Sequence, residues 1–489
     1  MDSSNHTAWA AEEFGHAMLT NRLHIERAVA MAAQLAARPC SSLPQVFPNP
    51  NELQGALRLL AHDEVEVDDL LTARHEACAR RCDGESLLVC PIDGSSWRFT
   101  DRKKNKGTGP IGTRKQGARG LKVMSVYALL LSGVPMGVLA EQVWARTEQA
   151  CPIPTREREL EDKESFWWTE LIKRSVEVVE STCKHPPKLW FQADCEADQV
   201  SVLLQAAALQ PEHYVTVRAE DNRLLAACRV PKQTTKKGEI RESKLFDALE
   251  DAQWVGRSSV KVRRHGKVQR VASIDISVAS VSVRLRKEGN KTRLGDVPLN
   301  VVVVREVRDQ SRGGEEPIEW ILYTTYPVRS PEDALLVVQC YALRWRIERH
   351  HYTTKTGALK LPQCQLRSFE ARRKWIAMST SVSAHLQHLM YRSRVEPDVS
   401  ALEEFGAEEI HAVQCLLVGR RMKVPFESVE QATLGQVVEA LARLGGYQGK
   451  RSGGPAGVQT LSRGLLQMEA ACAALQGLQP QGAREKKEG

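Results

Sequence analysis

The sequence predicts a multidomain α/β protein with helical regions at both ends of the chain. Two apolar, strand-like runs at 87–93 and 188–194 each end on an aspartate, and amphipathic stretches typical of helices separate such runs. Strands that alternate with helices predict a mixed sheet covered by helices. A β-rich stretch follows at 219–316, and helical periodicity dominates 1–83 and 387–478.

The order of elements defines the predicted domains. After the strand at 87–93 we expect strands at 122–131 and 136–144, a helix at 155–180, a strand at 188–194, a helix at 197–209 and a strand at 213–218. The predicted domains are a helical one at 1–83, a catalytic one at 84–386 with an inserted antiparallel subdomain at 219–316, and a helical one at 387–478. The polar tail at 479–489 is expected to be disordered.

Composition narrows the class of protein. The chain has 489 residues, of which 42% are hydrophobic and 26% charged, as is ordinary for a soluble globular protein. It has neither a secretory signal nor an apolar run long enough for a membrane span, so we expect a cytoplasmic protein.

Twelve cysteines without a pairing framework favour reduced thiols. His75, Cys78 and Cys82 come nearest to a zinc pattern, but without a second half-site nearby they are better interpreted as ordinary helix residues.

Basic residues are concentrated in separate runs. The net charge is +8, and Lys and Arg cluster at 102–106, 232–244 and 257–270. Clusters on several segments favour an extended polyanion over a small anionic ligand, although each run alone could be a solvated loop. The N-terminal helices also carry arginines, which would suit a duplex-binding module but occur equally in plain helical bundles: Arg22, Arg27, Arg58 and Arg74.

Three carboxylates are candidates for a metal site. Asp93 and Asp194 end the two apolar strands, and Glu348 lies on a predicted helix after the β-rich stretch. Acids at strand ends lie where ligands bind in α/β sheets, and carboxylate oxygens are the ligands that Mg²⁺ prefers. A buried strand-end aspartate can instead be a cap or a structural hydrogen-bond acceptor.

The helix that carries Glu348 presents a second pattern. If 341–355 form a single helix, Tyr341, Arg344, Glu348 and Lys355 share an arc of about 60°. An acid, two cations and a phenol on one face suit a surface that holds a metal ion and grips phosphate. The alternative is a salt-bridged surface helix, since Arg344 and Glu348 are four residues apart.

These residues carry a family resemblance. Tyr341, Arg344, Glu348 and Lys355 match the tyrosine, arginine, glutamate and lysine signature of bacterial DDE transposases of the insertion-sequence-four family, and 194–198 is similar to the family's D-x-E-A-D motif. Shorter likenesses extend over nearly the whole chain, at 33–36, 163–165, 320–325, 344–348, 355–357 and 442–446. The resemblance implies a ribonuclease-H-like catalytic core of the retroviral-integrase superfamily, with the β-rich insertion inside it.

The resemblance also implies residue roles. Asp93, Asp194 and Glu348 would be the catalytic triad and the ligands of two Mg²⁺ ions, which Mn²⁺ could replace. Phosphates near the cleavage site would be bound by three further side chains, Tyr341, Arg344 and Lys355. Trp320 would stack on a flipped base, whereas without the resemblance it could equally be a strand core aromatic.

The sequence departs from the family pattern at three places. Gly94, Ser95 and Ser96 follow Asp93 where a relative has two threonines, Cys195 replaces an arginine, and Tyr352 replaces a DNA-contacting lysine. None of these changes removes a predicted metal ligand, but the contact expected from the lysine is in doubt.

The expected activity is cut-and-paste transposition. The resemblance implies binding to terminal inverted repeats of double-stranded DNA, nicking, a hairpin intermediate and strand transfer into target DNA, carried out by a homodimer whose C-terminal helices make the dimer contact. Two alternatives remain open: a DNA-binding derivative that does not cut, and a structure-selective nuclease on the same fold.

Overall fold

The computed structural model describes residues 5–478 except for 41, 100–106, 113–116, 148–157, 227–243, 251, 265–266, 288–291, 308–316 and 453. The predicted basic run at 102–106, nearly all of that at 232–244, and the tail at 479–489 lie outside the described residues. Within them, the cysteines are free thiols. No helix among the described residues is both long and apolar enough to cross a membrane.

Five helices form the N-terminal region: α1 (Asn5–Phe14), α2 (Arg22–Ala37), α3 (Leu43–Val46), α4 (Pro50–Ala61) and α5 (Val67–Arg81). Asn21 and Asn49 cap α2 and α4, because each side-chain oxygen accepts a backbone N–H of the first helical turn at 2.9 Å. These helices lie within the region 1–83 that the sequence predicts to be helical.

A mixed sheet of ten strands forms the centre of the described structure: β1 (Leu87–Arg98), β2 (Gly109–Pro110), β3 (Arg119–Leu129), β4 (Pro135–Trp144), β5 (Lys188–Ala193), β6 (Tyr214–Arg218), β7 (Gln253–Arg264), β8 (Lys267–Arg286), β9 (Arg293–Glu306) and β10 (Glu319–Thr324). The strand order is β2-β3-β1-β5-β6-β10-β9-β8-β7, and β4 also pairs with β3. β1, β5 and β6 are mutually parallel. Among the described residues, three helices lie between strands of this sheet. The helix α6 (Phe166–Thr182) precedes β5, α7 (Val200–Ala208) precedes β6, and α8 (Leu245–Ala248) precedes β7.

Two details of the α/β prediction were wrong. β1 does not end at Asp93, because residues 94–98 continue the antiparallel pairing with β3. The helix predicted at 155–180 begins only at Phe166, and among the residues before it the structure has a short 3₁₀ turn at Leu160–Asp162. The β-rich stretch is antiparallel as predicted, and because β10 pairs with both β6 and β9, the strands β7, β8 and β9 extend the central sheet.

Six helices follow β10 in the part of the chain that the structure describes: α9 (Pro331–Leu343), α10 (Trp345–Lys355), α11 (Phe369–Val395), α12 (Ala407–Gly419), α13 (Leu434–Leu444) and α14 (Val458–Leu478). The expected boundary at 386/387 falls inside α11, which is one continuous helix. Leu35 of α2, Trp375 of α11 and Leu441 of α13 belong to one hydrophobic core. The N-terminal and C-terminal helices therefore pack together instead of forming separate cores.

A buried ion pair ties α5 to the sheet. The guanidinium of Arg74 lies 2.9 Å from the carboxylate of Glu141 on β4, and both side chains are almost fully buried, at 1% and 0% exposure. Ser125 of β3 donates to Glu141 at 3.1 Å, and Thr380 of α11 donates to it at 3.3 Å. Arg74 is thus a core residue, so the suggestion that it belongs to a duplex-binding surface was wrong.

Candidate active site

The sheet brings Asp93 and Asp194 to the same edge. β1 and β5 are parallel and pair Pro91 with Gln192, so the residues two positions further along both strands lie at neighbouring places. Asp194 caps the 3₁₀ turn Cys195–Ala197, and its Oδ1 accepts from the Glu196 N–H at 2.9 Å. Asp93 Oδ1 accepts from the Gly94 N–H at 2.7 Å.

The helix α10 adds the third acid. Glu348 lies in the first turn of α10, and Lys355 at its last residue donates to the Ser95 hydroxyl of β1 at 3.1 Å. This contact fixes the end of the helix beside the strand that carries Asp93. Three separated segments of the chain therefore supply the three predicted acids to one region.

The charges of the three acids affect one another. Burial raises the pKa of Asp93 to about 7, the negative charge of Asp194 and more weakly that of Glu348 add to the rise, and Arg344 opposes it. Burial likewise raises the pKa of Glu348, with Arg344 opposing and Asp194 adding to the effect. Burial is therefore the main cause of both shifts, and the neighbouring acids add to it.

The tyrosine and arginine of the signature lie deeper than expected. The chain does not form a single helix over 341–355, because α9 ends and α10 begins at Arg344. Tyr341 and Arg344 are only 2% and 6% exposed, whereas the Glu348 side chain is 39% exposed. The signature residues thus form a layer that runs from a buried phenol to a carboxylate at the surface.

Arg344 is paired with Glu348 in this structure. Its Nη2 donates to Glu348 Oε1 at 3.1 Å, as the alternative interpretation of the helix predicted. The Tyr341 hydroxyl and the Nε and Nη1 of Arg344 are buried, and no hydrogen-bond partner for them occurs among the described residues. Buried donors without acceptors are costly, and an anionic ligand would satisfy them.

Two tryptophans border this layer. Trp320 of β10 is half-buried, and its ring lies 5.2 Å from the Tyr341 ring in an edge-on arrangement. The structure therefore places Trp320 beside the signature residues while also packing it against the core, which is compatible with both interpretations. Trp345, which sequence reasoning did not single out, is 53% exposed, and the Arg344 guanidinium lies 5.2 Å from its ring centre.

Sequence reasoning also missed Arg218. β5 and β6 pair Ala193 with Val217, so Arg218 lies directly beside Asp194 at the same sheet edge. Its guanidinium donates to the Cys195 sulfur at 3.2 Å, and its charge is close enough to interact with Asp194 and Tyr341. The signal was available, since the strand predicted at 213–218 ends on this arginine. Arg218 supplies a cation beside the position where the resembled family has an arginine.

The second aspartate of the D-x-E-A-D motif has a structural role. Asp198 is buried and accepts from the Arg223 guanidinium at 2.7 Å and from the backbone N–H groups of Glu220 and Asp221 at 2.8 and 3.0 Å. These bonds anchor the segment after β6. Asp198 is therefore saturated with donors and differs in this respect from Asp93 and Asp194.

The three acids fit a divalent cation in chemistry. They supply the hard oxygen ligands that such a cation prefers. Over the described ranges, however, no three His, Cys, Asp or Glu side chains converge closely enough to hold a metal ion. Arg344 occupies one Glu348 oxygen, so this carboxylate has to leave the arginine before it can bind a cation with both oxygens.

The pKa of Asp93 gives a pH-dependent prediction. The value in the folded protein, about 7, lies above the ordinary value of 3.8, so folding favours the protonated form. The contribution of protonated Asp93 to the free energy of unfolding is therefore largest below about pH 4, and it is lost as the pH rises through about 7. We expect Asp93→Asn to raise the free energy of unfolding of the metal-free protein by about 1–2 kcal/mol near pH 8, after allowance for solvent screening, and to change it little near pH 4.

Urea unfolding at the two pH values, in the presence of a chelator, measures this difference. Added Mg²⁺ is expected to stabilise the wild type and not the variant. An equal effect of Asp93→Asn at both pH values would contradict the pKa assignment.

Comparison with known proteins bears on the N-terminal helices. Residues 6–65, which span α1 to α4, match the family model of transposase DNA-binding domains. This part of the chain is similar to transposase DNA-binding domains. In this region the Arg22 side chain is 90% exposed and pairs with Glu26 at 2.9 Å.

A solved structure is distantly similar over most of the chain. The cryo-EM structure of the piggyBac transposase synaptic complex with hairpin DNA aligns with 77% of this chain and 67% of that chain, at 9% sequence identity and a TM-score of 0.33. No residue assignment rests on this likeness.

Proposed function

We propose that this protein is a DNA transposase of the DDE type that moves a DNA element by cutting and rejoining it. The observation that carries the proposal is that Asp93, Asp194 and Glu348, from three separated segments, lie in one region beside the cations Arg344 and Lys355. The transposase DNA-binding match at 6–65 supports the same function independently. From the resemblance in sequence, we further propose that the protein belongs to the insertion-sequence-four family of transposases.

Asp93, Asp194 and Glu348 would hold the metal ions. When bound, a pair of Mg²⁺ or Mn²⁺ ions would supply activation of the attacking oxygen and stabilisation of the leaving oxygen of a phosphodiester. The raised pKa of Asp93 supports this role, because a bound cation would remove the mutual repulsion of the acids.

Arg344 would exchange one anionic partner for another. In the unbound protein it neutralises Glu348, whereas a DNA phosphate would draw the guanidinium away and release the carboxylate. The Tyr341 phenol, which has no hydrogen-bond partner among the described residues, would donate to the same phosphate. DNA binding would thus prepare the acidic site for cutting.

The chemistry would proceed in successive displacements at phosphorus. Water attacks the phosphodiester at the element end, the bond to the 3′ oxygen breaks, and a 3′-hydroxyl and a 5′-phosphate result. The 3′-hydroxyl then attacks the opposite strand, closes a hairpin and releases the flanking DNA. A second water opens the hairpin, and the regenerated 3′-hydroxyl attacks target DNA.

We further propose that the active assembly is a homodimer on two terminal inverted repeats. The C-terminal helical region exposes apolar side chains that suit a protein contact, among them Val395 and Val418 at 45% and 62% exposure. Light scattering with and without end DNA measures the assembly.

A plasmid assay tests the function. A selectable marker is placed between the two DNA segments that flank the coding region, and the purified protein is added with Mg²⁺ and a target plasmid. A transposase yields excised element and joined products. Cut DNA without joined products would indicate a nuclease, and binding without cutting would indicate a DNA-binding derivative, so either outcome would overturn the proposal.

A further inference from the structure

The strand β1 has an open edge beside the acids. β5 pairs with β1 only as far as Pro91, whereas β1 continues to Arg98 with β3 on its other side. Residues 94–97, here named the open edge of β1, therefore have no strand neighbour on the β5 side among the described residues. The open edge begins directly after Asp93.

Backbone donors point out of the open edge. The Ser86 carbonyl accepts from the Lys188 N–H of the β5 strand at 3.2 Å, so the even-numbered residues of β1 direct their backbone polar groups toward β5. Gly94 agrees with this pattern, because its N–H is bonded to the Asp93 carboxylate instead of to β3. The N–H of Ser96 accordingly points to the same side, where no strand among the described residues pairs with it.

Two lysines contact two consecutive hydroxyls of this edge, one on each face of the sheet. Lys355 of α10 donates to Ser95 at 3.1 Å, and Lys122 of β3 donates to Ser96 at 3.2 Å. The two ammonium groups are close enough that, after burial, the charge of Lys122 helps to lower the pKa of Lys355. A nearby acid, Glu164, is already bound by Arg146 at 2.6 Å and by the Trp144 indole at 3.1 Å.

We propose that the open edge of β1 binds a backbone phosphate of the DNA strand next to the reacting phosphate, with Lys122 as its cation. Backbone N–H groups, serine hydroxyls and lysine ammonium groups are the donors that proteins use for DNA phosphates. Ser96 lies about 10 Å along the strand from Asp93, so this phosphate is a different one from that bound by Arg344. The inference rests on the proposed function and extends its DNA site to a residue outside the family signature.

The number of phosphate contacts is measured by the salt dependence of binding. We expect Lys122→Ala to reduce the slope of log affinity against log salt by about 0.9 relative to the wild type. Between about 50 and 200 mM salt, the variant therefore loses about threefold less affinity than the wild type. The probe is a fluorescent duplex of random sequence, read by anisotropy in the presence of a chelator.

Two further variants control for charge and folding. Lys173→Ala removes an exposed lysine on α6 that pairs with Glu177 at 3.7 Å, and it should leave the slope unchanged. Lys122→Arg keeps the charge and should restore the wild-type slope, which a merely structural defect would not allow. If Lys122→Ala has the slope of the wild type and of Lys173→Ala, the proposal is overturned.

The result is independent of cutting. The chelator prevents metal binding, so the binding measurement does not depend on DNA cleavage. If the wild type never cuts DNA, the proposed function is wrong, but a reduced slope in Lys122→Ala still supports the phosphate contact. Conversely, if the wild type cuts and joins DNA while Lys122→Ala keeps the wild-type slope, the proposed function stands and the proposed phosphate contact is wrong.

Discussion

Glu348→Gln is expected to lower DNA strand cleavage by about 10³-fold or more while DNA binding stays within about twofold of the wild type. The substitution removes one negative charge from the acidic site and so weakens its hold on a divalent cation. It preserves the size of the side chain, and the amide oxygen can still accept the hydrogen bond that Arg344 donates at 3.1 Å. The fold and the signature layer should therefore remain.

The plasmid assay and a gel-shift assay on the same DNA measure the two quantities. Glu332→Gln is a matched control, since Glu332 is exposed in the first turn of α9. It should cut and bind like the wild type. Cleavage by Glu348→Gln at a rate near that of the wild type would rule out Glu348 as part of the catalytic site.

Arg74→Ala is expected to reduce the free energy of unfolding by about 3–5 kcal/mol. The substitution leaves the carboxylate of Glu141 at 0% exposure without its cation, and a buried unpaired charge is strongly unfavourable. Burial already raises the pKa of Glu141, and Arg74 is the main opposing influence. The loss of packing between α5, β4 and α11 adds to the cost.

Denaturant unfolding measures the effect. Arg58→Ala is the matched control, because it removes an arginine side chain from the exposed face of α4. It should change the free energy of unfolding by less than about 0.5 kcal/mol. The pair Arg74→Met with Glu141→Gln removes both charges and should recover part of the loss. If Arg74→Ala costs no more than Arg58→Ala, the ion pair does not hold α5 to the sheet.

The parts of the site that depend on local pattern could be predicted from the sequence. Apolar runs before Asp93 and Asp194 predict strands of a mixed sheet that bring acids to a ligand-binding edge, and the spacing of Tyr341, Arg344, Glu348 and Lys355 matches a family signature. Periodicity also predicts most helices of the two end regions. These features depend on residues within one or two turns or strands, where sequence pattern determines structure.

The parts that depend on tertiary pairing could not be predicted in the same way. The continuation of β1 through Ser95 and Ser96 requires β3 as a partner, because these polar residues have little strand tendency of their own. The burial of Arg74 depends on Glu141, which lies 67 positions later in the sequence on another element. The break between α9 and α10 at Arg344 has no glycine or proline to indicate it.

The claim that Asp93, Asp194 and Glu348 form one metal site can be tested without knowledge of the DNA substrate. Ferrous iron, added in place of Mg²⁺ together with ascorbate and peroxide, cuts a polypeptide beside the residues that bind it, and mass spectrometry locates the cuts. We predict cuts close to residues 93, 194 and 348 that excess Mg²⁺ suppresses and that Glu348→Gln weakens. An uncut chain, or cuts confined to other positions, would contradict the assignment of these three acids to a common metal site.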